Sequence, residues 1–235
     1  AAPNPDLSSE TSSGFELGVR LDNEFSSMEV SIFRNDYEDF IESNAIAPEF
    51  LRFGGIDPND GLLTFKAVNL SEVEIDGIEV SGSIDLSMFS SGLSSDQDYI
   101  LDDFSIRFAI AYADGEDVSA DQPLDSIEPL TGVIGLAYDS PNGNWGARLN
   151  LSMVQGKSPS DIAEGSVRPE TAGYGVIDLL AYIDIADQVM VNVGLFNLGD
   201  KQYIRWADSV GIGRDAPMRF SQPGFTAGIN LKFEI

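Results

Sequence analysis

The sequence predicts an all-β protein, a transmembrane antiparallel β-barrel of which this chain supplies about nine strands. Three observations predict it. Nine stretches alternate apolar and polar residues, several beyond ten residues, whereas soluble strands usually stop at about 5–6. The gaps between them alternate short and long. One face of the stretches is apolar along its length while the other carries full charges, which suits a wall between lipid and an aqueous lumen.

The first strand is expected over about 14–22, with Phe15, Leu17, Val19 and Leu21 on its apolar face. Asp22-Asn23-Glu24 turns the chain into a second strand, about 26–41, ending at Tyr37 and Phe40. The long loop 42–63 carries Pro48, Gly54-Gly55 and Asp57-Pro58-Asn59-Asp60-Gly61, all turn formers. The third strand, about 64–87, changes phase: Val73 and Ile75 share a face that Ile78, Val80, Ile84 and Leu86 take over. The slip at Asp76-Gly77 predicts a β-bulge. A polar connection, 88–101, leads to strand four, about 102–113, where Phe104, Ile106, Phe108, Ile110 and Tyr112 alternate with Ser105, Arg107, Ala109 and Ala111.

Past the acidic loop 114–127, strand five spans about 128–139 and turns at Pro141-Asn142-Gly143-Asn144. Strand six runs to about 156, with Trp145, Ala147, Leu149, Leu151 and Met153 opposite Gly146, Arg148, Asn150 and Ser152. Strand seven, about 171–185, sets Ile177, Leu179, Ala181 and Ile183 outward and Asp178 inward; strand eight covers about 188–206. In the last strand Phe225, Ala227, Ile229, Leu231, Phe233 and Ile235 face Thr226, Gly228, Asn230, Lys232 and Glu234. Loops 42–63, 114–127, 157–170 and 207–219 then share the extracellular side. Aromatics near strand ends (Tyr37, Phe40, Tyr112, Tyr138, Trp145, Tyr203, Trp206) fit interface girdles as well as ordinary packing.

Composition narrows the function classes. With 13 basic and 39 acidic residues the net charge is −26, which argues against a nucleic-acid partner held through phosphates. No Cys or His is present, so disulfides, thiolate or imidazole metal sites and Ser-His-Asp or Cys-His catalysis are excluded from this chain, and an enzyme is not expected. Asp114, Glu116, Asp117, Asp121 and Asp125 do not follow calcium-loop spacing and read as a solvated acidic loop. Gly211-Ile212-Gly213 is followed by no helix and is no phosphate cradle. Inward Glu16, Arg20, Arg107, Arg148, Asp178 and Lys232 would be costly in a sandwich core but sit well beside water or a polar plug. Residues 1–14 show no secretion signal, and an odd strand count with exposed edges reads as a C-terminal fragment that does not fold alone. The aliphatic last residue, Ile235, departs from the aromatic end usual in such barrels.

Four ordered segments resemble TonB-dependent outer-membrane receptors. Asn4-Pro5-Asp6-Leu7, Glu10-Thr11-Ser12 and Glu16-Leu17-Gly18 are similar to the family's NP-x-L…PE-x-S…E-x-G, with Ser9 in place of a usual Pro. Phe33 to Ile41 resembles F-x-x-x-Y-x-D-x-I through Tyr37, Asp39 and Ile41; Asn69-Leu70 with Ile75-Asp76-Gly77-Ile78-Glu79 resembles N-x-x…I-x-G-x-E; Asn197-Leu198-Gly199-Asp200-Lys201-Gln202-Tyr203 resembles NL-x-D-x-x-Y. The resemblance implies an outer-membrane barrel of about 22 strands, this chain (residues 1–235) being its C-terminal part, with a plug domain and earlier strands upstream. It implies active import of a scarce nutrient powered through TonB. Implied partners are the lipid bilayer and lipopolysaccharide, the protein's own plug, and TonB. The NP-x-L box, Asp178-Leu179 and the Tyr203…Trp206 spacing look most like haem and haemoglobin receptors, with ferric siderophores next. In that subclass a haem-ligating His commonly precedes the box. No tightly bound cofactor is implied; haem is a possible transported ligand.

Capture needs outer-loop aromatics and polar groups rather than catalytic residues. Phe50, Phe53, Tyr203, Arg205 and Trp206 are the candidates, against the alternative that they only pack girdles and loops. Two other readings share the alternation: a passive porin-like barrel and a secreted β-sandwich binding module. Neither accounts for the four motifs in order.

Overall fold

The computed structural model describes residues 3–53, 55–89, 100–186, 188–210 and 220–233, without the side chains of Asn44 and Ile100. The glycine loop Gly211-Ile212-Gly213 and the terminal Ile235 lie outside the described residues. The strands are β1 (Thr11–Asp22), β2 (Ser26–Ile46), β3 (Phe65–Asp85), β4 (Phe104–Asp117), a two-residue β5 (Gln122–Pro123), β6 (Thr131–Asp139), β7 (Trp145–Val154), β8 (Tyr174–Ala186), β9 (Val189–Phe196) and β10 (Thr226–Phe233). All join one antiparallel sheet in the order β1-β2-β3-β4-β6-β7-β8-β9-β10, with β5 added to the end of β4. The nine long strands form an up-and-down meander, and β1 and β10 each have one partner. No described helix is long and apolar enough to cross a membrane.

Register turns the alternation into a surface. Leu17 faces Ile32, Ile32 faces Ile78, and Ile78 faces Tyr112. Farther along, Leu136 faces Leu149, Leu149 faces Leu179, and Leu179 faces Leu195. These side chains stay open: Leu17 is 62% exposed and Ile229 73%. A continuous apolar sheet face of this extent is what the lipid-facing wall of a barrel requires. The aromatic rings Phe104–Tyr138 and Tyr138–Trp145, each pair 4.9 Å apart, edge this face at the short-turn end. The buried apolar residues are few, and Ala47, Leu124 and Trp206 among them belong to loops on the opposite end. Among the described residues there is a single sheet with no second sheet against it, which is not a sandwich.

Several boundaries differ from expectation: β1 starts earlier, at Thr11, and β4 runs on to Asp117, taking up the first part of the expected acidic loop. β2 continues to Ile46, paired with Phe65, and the irregularity lies between Glu42 and Ala45. β6 and β8 each start three residues later, at Thr131 and Tyr174. β9 stops at Phe196 instead of continuing to 206, because Asn197 turns into the left-handed region at φ 51°.

No bulge interrupts Asp76-Gly77: β3 pairs in unbroken register with β2 and β4 from Val73 to Ile84. The phase change has another cause. β2 and β3 are 21 residues each, about 70 Å extended, far more than the apolar band of about 25 Å needs. Beyond the band the outward positions become Asp36, Glu74 and Glu116, which lie opposite one another across β2–β4. The inward positions there become apolar, with Val73 0% exposed and Gly115 lying beneath Leu124 and Ile127. Gly77 has its own role: the ring of Phe33 lies over it and leaves no room for a Cβ.

Candidate functional site

The long loops gather at one end of the sheet and pack on one another. Asp125, in the loop after β5, is the hub. Its Oδ1 accepts the Ala163 N–H at 3.0 Å, its Oδ2 accepts the Ser166 hydroxyl at 2.5 Å, and its carbonyl accepts Trp206 Nε1–H at 2.8 Å. Gln122 Oε1 accepts the Glu164 N–H at 2.7 Å. Three loops, 118–130, 155–173 and the start of the β9–β10 loop, are thus tied into one body. At its centre Trp206 is 2% exposed. The Arg168 guanidinium lies 4.7 Å from its ring centroid and Lys157 Nζ 5.6 Å, both within cation–π range. Burial pulls both cations below their ordinary pKa values.

This body faces the ends of β2 and β3 across a cleft of ≈ 280 Å³, walled by Ile46, Leu51, Leu70, Leu124 and Arg168. The 3-10 turn Pro48–Phe53 seals one end, fixed by the Ala47 N–H donating to the Thr64 carbonyl at 3.0 Å.

The candidates of the sequence separate here. Tyr203, Arg205 and Trp206 come together, with Tyr203 stacked on Tyr174 at 4.1 Å and Arg205 paired to Asp208 at 2.7 Å. Trp206 is interior to the loop body rather than presented to a ligand, because Asp125, Arg168 and Ser209 enclose it. Phe50 and Phe53 lie on the Pro48–Phe53 turn, where Phe53 packs under the Arg52 guanidinium at 4.6 Å. Leu51, not either phenylalanine, enters the cleft. Arg168 and Leu124 were not singled out by sequence, and Asp125, expected in a solvated acidic loop, instead ties the loops together. The available signal was Arg168 between Val167 and Pro169, an odd cation in a turn-rich loop of an acidic chain.

The motif residues hold the frame. Asn4 Nδ2 donates to the Ala67 carbonyl at 2.8 Å, and the half-buried Leu7 follows exposed Pro5. Asn69 accepts the Ser8 N–H at 2.8 Å and donates to the Asp39 carbonyl at 2.6 Å, where Asp39 has φ 55°. Glu10 accepts the Ile41 N–H at 2.8 Å, so the segment before β1 lies clamped along β2 and β3. Tyr37 meets Phe40 edge-on at 5.2 Å. On the inward face Glu16 accepts the Ser31 hydroxyl at 2.7 Å, and Ser31 stands between Gly18 and Glu79. Asp178 accepts the Asn197 N–H at 2.7 Å; the Leu198 N–H reaches the Ile177 carbonyl; Asp200 accepts the Phe225 N–H at 2.9 Å.

The model of the TonB dependent receptor-like beta-barrel family matches residues 1–198. The chain belongs to this family. TonB-dependent receptors are outer-membrane β-barrels of Gram-negative bacteria and transport receptors rather than enzymes. Among its relatives is the probable hemoglobin and hemoglobin-haptoglobin-binding protein 4 of Haemophilus influenzae, 24% identical over 240 residues, covering 97% of this chain and 23% of the relative. Lactoferrin-binding protein A of Neisseria meningitidis is 26% identical over 260 residues, covering 97% and 26%. The chain therefore spans about a quarter of the length of these relatives. Among solved structures, the copper transporter OprC superposes with TM-score 0.71 at 22% identity over 95% of this chain and 31% of its own. The siderophore receptor PirA from Acinetobacter baumannii gives 0.66 at 20%, over 99% and 33%. These two likenesses establish the fold.

Proposed function

We propose that this chain is the C-terminal part of the barrel of an active-transport receptor that imports haem or haemoprotein iron, with energy delivered through TonB. The observation that carries the reading is the conjunction of family membership with relatives named for hemoglobin binding. In this reading the apolar sheet face meets lipid and lipopolysaccharide, and upstream strands complete β1 and β10. A plug fills the lumen against Arg107, Arg148 and Asp178. The outer-loop body, with Tyr203 and Arg205 at its surface and Phe53 across the cleft, receives the ligand. Haem is cargo here and not a resident cofactor.

The test is growth of an iron-starved, receptor-deficient host expressing the whole receptor on hemoglobin, haem or a ferric siderophore as sole iron source. Growth on hemoglobin or haem that is lost when TonB is deleted supports the proposal. Growth on the siderophore alone transfers the cargo to that class. Uptake unaffected by TonB deletion overturns active transport and leaves a passive barrel.

A further inference from the structure

Arg168 is the most anomalous side chain of the loop body. It is 6% exposed. Among the described residues the single hydrogen bond of its side chain runs from Nη1 to the Trp206 carbonyl at 3.5 Å, the outer limit of such a contact. None of the ion pairs among the described residues includes it. A guanidinium offers five donors; here only Nη1 donates to a described residue, and Nε and Nη2 are not among the described atoms sealed from solvent without a partner. Natural interiors keep such groups for a reason. Here the side chain is held over the Trp206 ring and forms part of the cleft wall opposite Ile46, Leu51 and Leu70.

The carboxylates around it do not complete it. Both Asp125 oxygens are taken by Ala163 and Ser166. Asp117 Oδ1 accepts the Ala120 N–H at 3.1 Å. Glu42 lines the same cleft and forms no ion pair with Arg168 among the described residues, and Glu164 is exposed at the rim. Asp125, Glu42 and Glu128 favour the charged guanidinium through space, yet none is within ion-pair distance. That acidic field also disfavours small hydrated anions, so an anion needs an apolar body to gain enough from the cleft.

We propose that this cleft binds carboxylates carried on an apolar body, Arg168 pairing with the carboxylate while Ile46, Leu51, Leu70 and Leu124 cover the apolar part. Guanidinium is the side chain suited to bidentate carboxylate recognition. A volume of ≈ 280 Å³ admits a fused-ring or acyl group, or the acid-bearing edge of something larger. The site rests on the cleft's own chemistry and not on which iron source is imported.

The experiment titrates the whole receptor in detergent with 1-pyrenebutyrate and with 1-pyrenebutanol, followed by probe fluorescence anisotropy. The wild type is expected to bind the acid about tenfold more tightly than the alcohol, the scale of one charge-assisted pair. R168Q is expected to abolish that preference and R168K to reduce it. L51S, at a 57% exposed position that folding tolerates, is expected to weaken both probes alike. Heat-modifiable migration confirms that each variant is folded. Equal binding of acid and alcohol by the wild type, a preference that survives R168Q, or one that R168K leaves undiminished overturns the site. No haem enters the assay, so its failure leaves the transport reading standing, and failure of the growth test leaves this cleft standing.

Discussion

Asn197 and Asp178 close the same knot from adjacent strands: the Asn197 N–H donates to Asp178 Oδ1 at 2.7 Å as the chain leaves β9. The Asn197 carboxamide then donates to the carbonyls of Lys201 at 2.9 Å and Pro223 at 3.1 Å and accepts the Lys201 N–H at 2.8 Å. One 3% exposed side chain thus fixes the exit from β9 and the entry to β10. Asn197→Ala removes three hydrogen bonds and leaves a β-carbon at φ 51° without the carboxamide that favours it. The expected loss is about 2–4 kcal/mol. It is checked by a lower temperature for the heat-modifiable gel shift of the whole receptor. Asn197→Gly should lose less, since glycine accepts that conformation. Combined with Asp178→Ala, the two losses should fall short of their sum, because they break a shared knot.

The Asn69 clamp predicts a local effect. Its carboxamide bridges Ser8 and Asp39 at an exposed site, where single hydrogen bonds contribute about 0.5–1.5 kcal/mol. Asn69→Asp replaces the donating amide with a carboxylate facing two carbonyls. Amides of residues 4–10 should exchange with deuterium faster, while the gel-shift temperature stays within error. A fall in that temperature equal to the one from Asn197→Ala would show the clamp to be part of the barrel's global stability instead.

Gly77 and Phe33 predict a rescue. Gly77→Ala drives a methyl into the Phe33 ring and should cost about 1–3 kcal/mol. Phe33→Leu in the same chain should recover part of that loss. If Phe33→Leu makes Gly77→Ala worse, the ring is not the obstacle.

Asp161 predicts a pH dependence. The hydroxyl of Ser158 at 2.5 Å and its backbone N–H at 2.9 Å hold the Asp161 carboxyl below its ordinary value. A depressed folded-state pKa gives stability that is present above the unfolded value and lost as pH falls through the folded one. Proteolysis of loop 155–173 by an acid-active protease should therefore rise as pH drops below the ordinary aspartate range of about 3.9. Asp161→Asn should be cleaved faster by a neutral-active protease at neutral pH and show a flatter profile with the acid-active one.

Much of the fold was legible because strand alternation has a period of two and lipid enforces it. Leu149, Leu151 and Met153 could face only one way once Arg148 and Asn150 faced the other. The phase change near Gly77 was visible, but its cause was not. A bulge and a change of environment leave the same pattern in one strand, and only the unbroken pairing of β3 with both neighbours separates them. The loop site was the least legible. Trp206 is as suited to catching a ligand as to filling a loop core until Asp125, 81 positions away, is seen to accept its indole N–H. Arg168 stands out only when its burial and its one long side-chain hydrogen bond are known together.

By itself, then, the sequence determined that this chain is a wall of antiparallel strands with one apolar face, one polar face and its long loops at one end. Those properties follow from local periodicity and from the cost of exposing backbone or charge to hydrocarbon. Only the tertiary structure decided that three of those loops form one body and that Asn69 and Asn197 tie distant segments. It alone set a buried guanidinium against an apolar cleft. Contacts between residues 40 to 80 positions apart depend on where register and loop closure bring them, and neither is written in any local stretch of sequence.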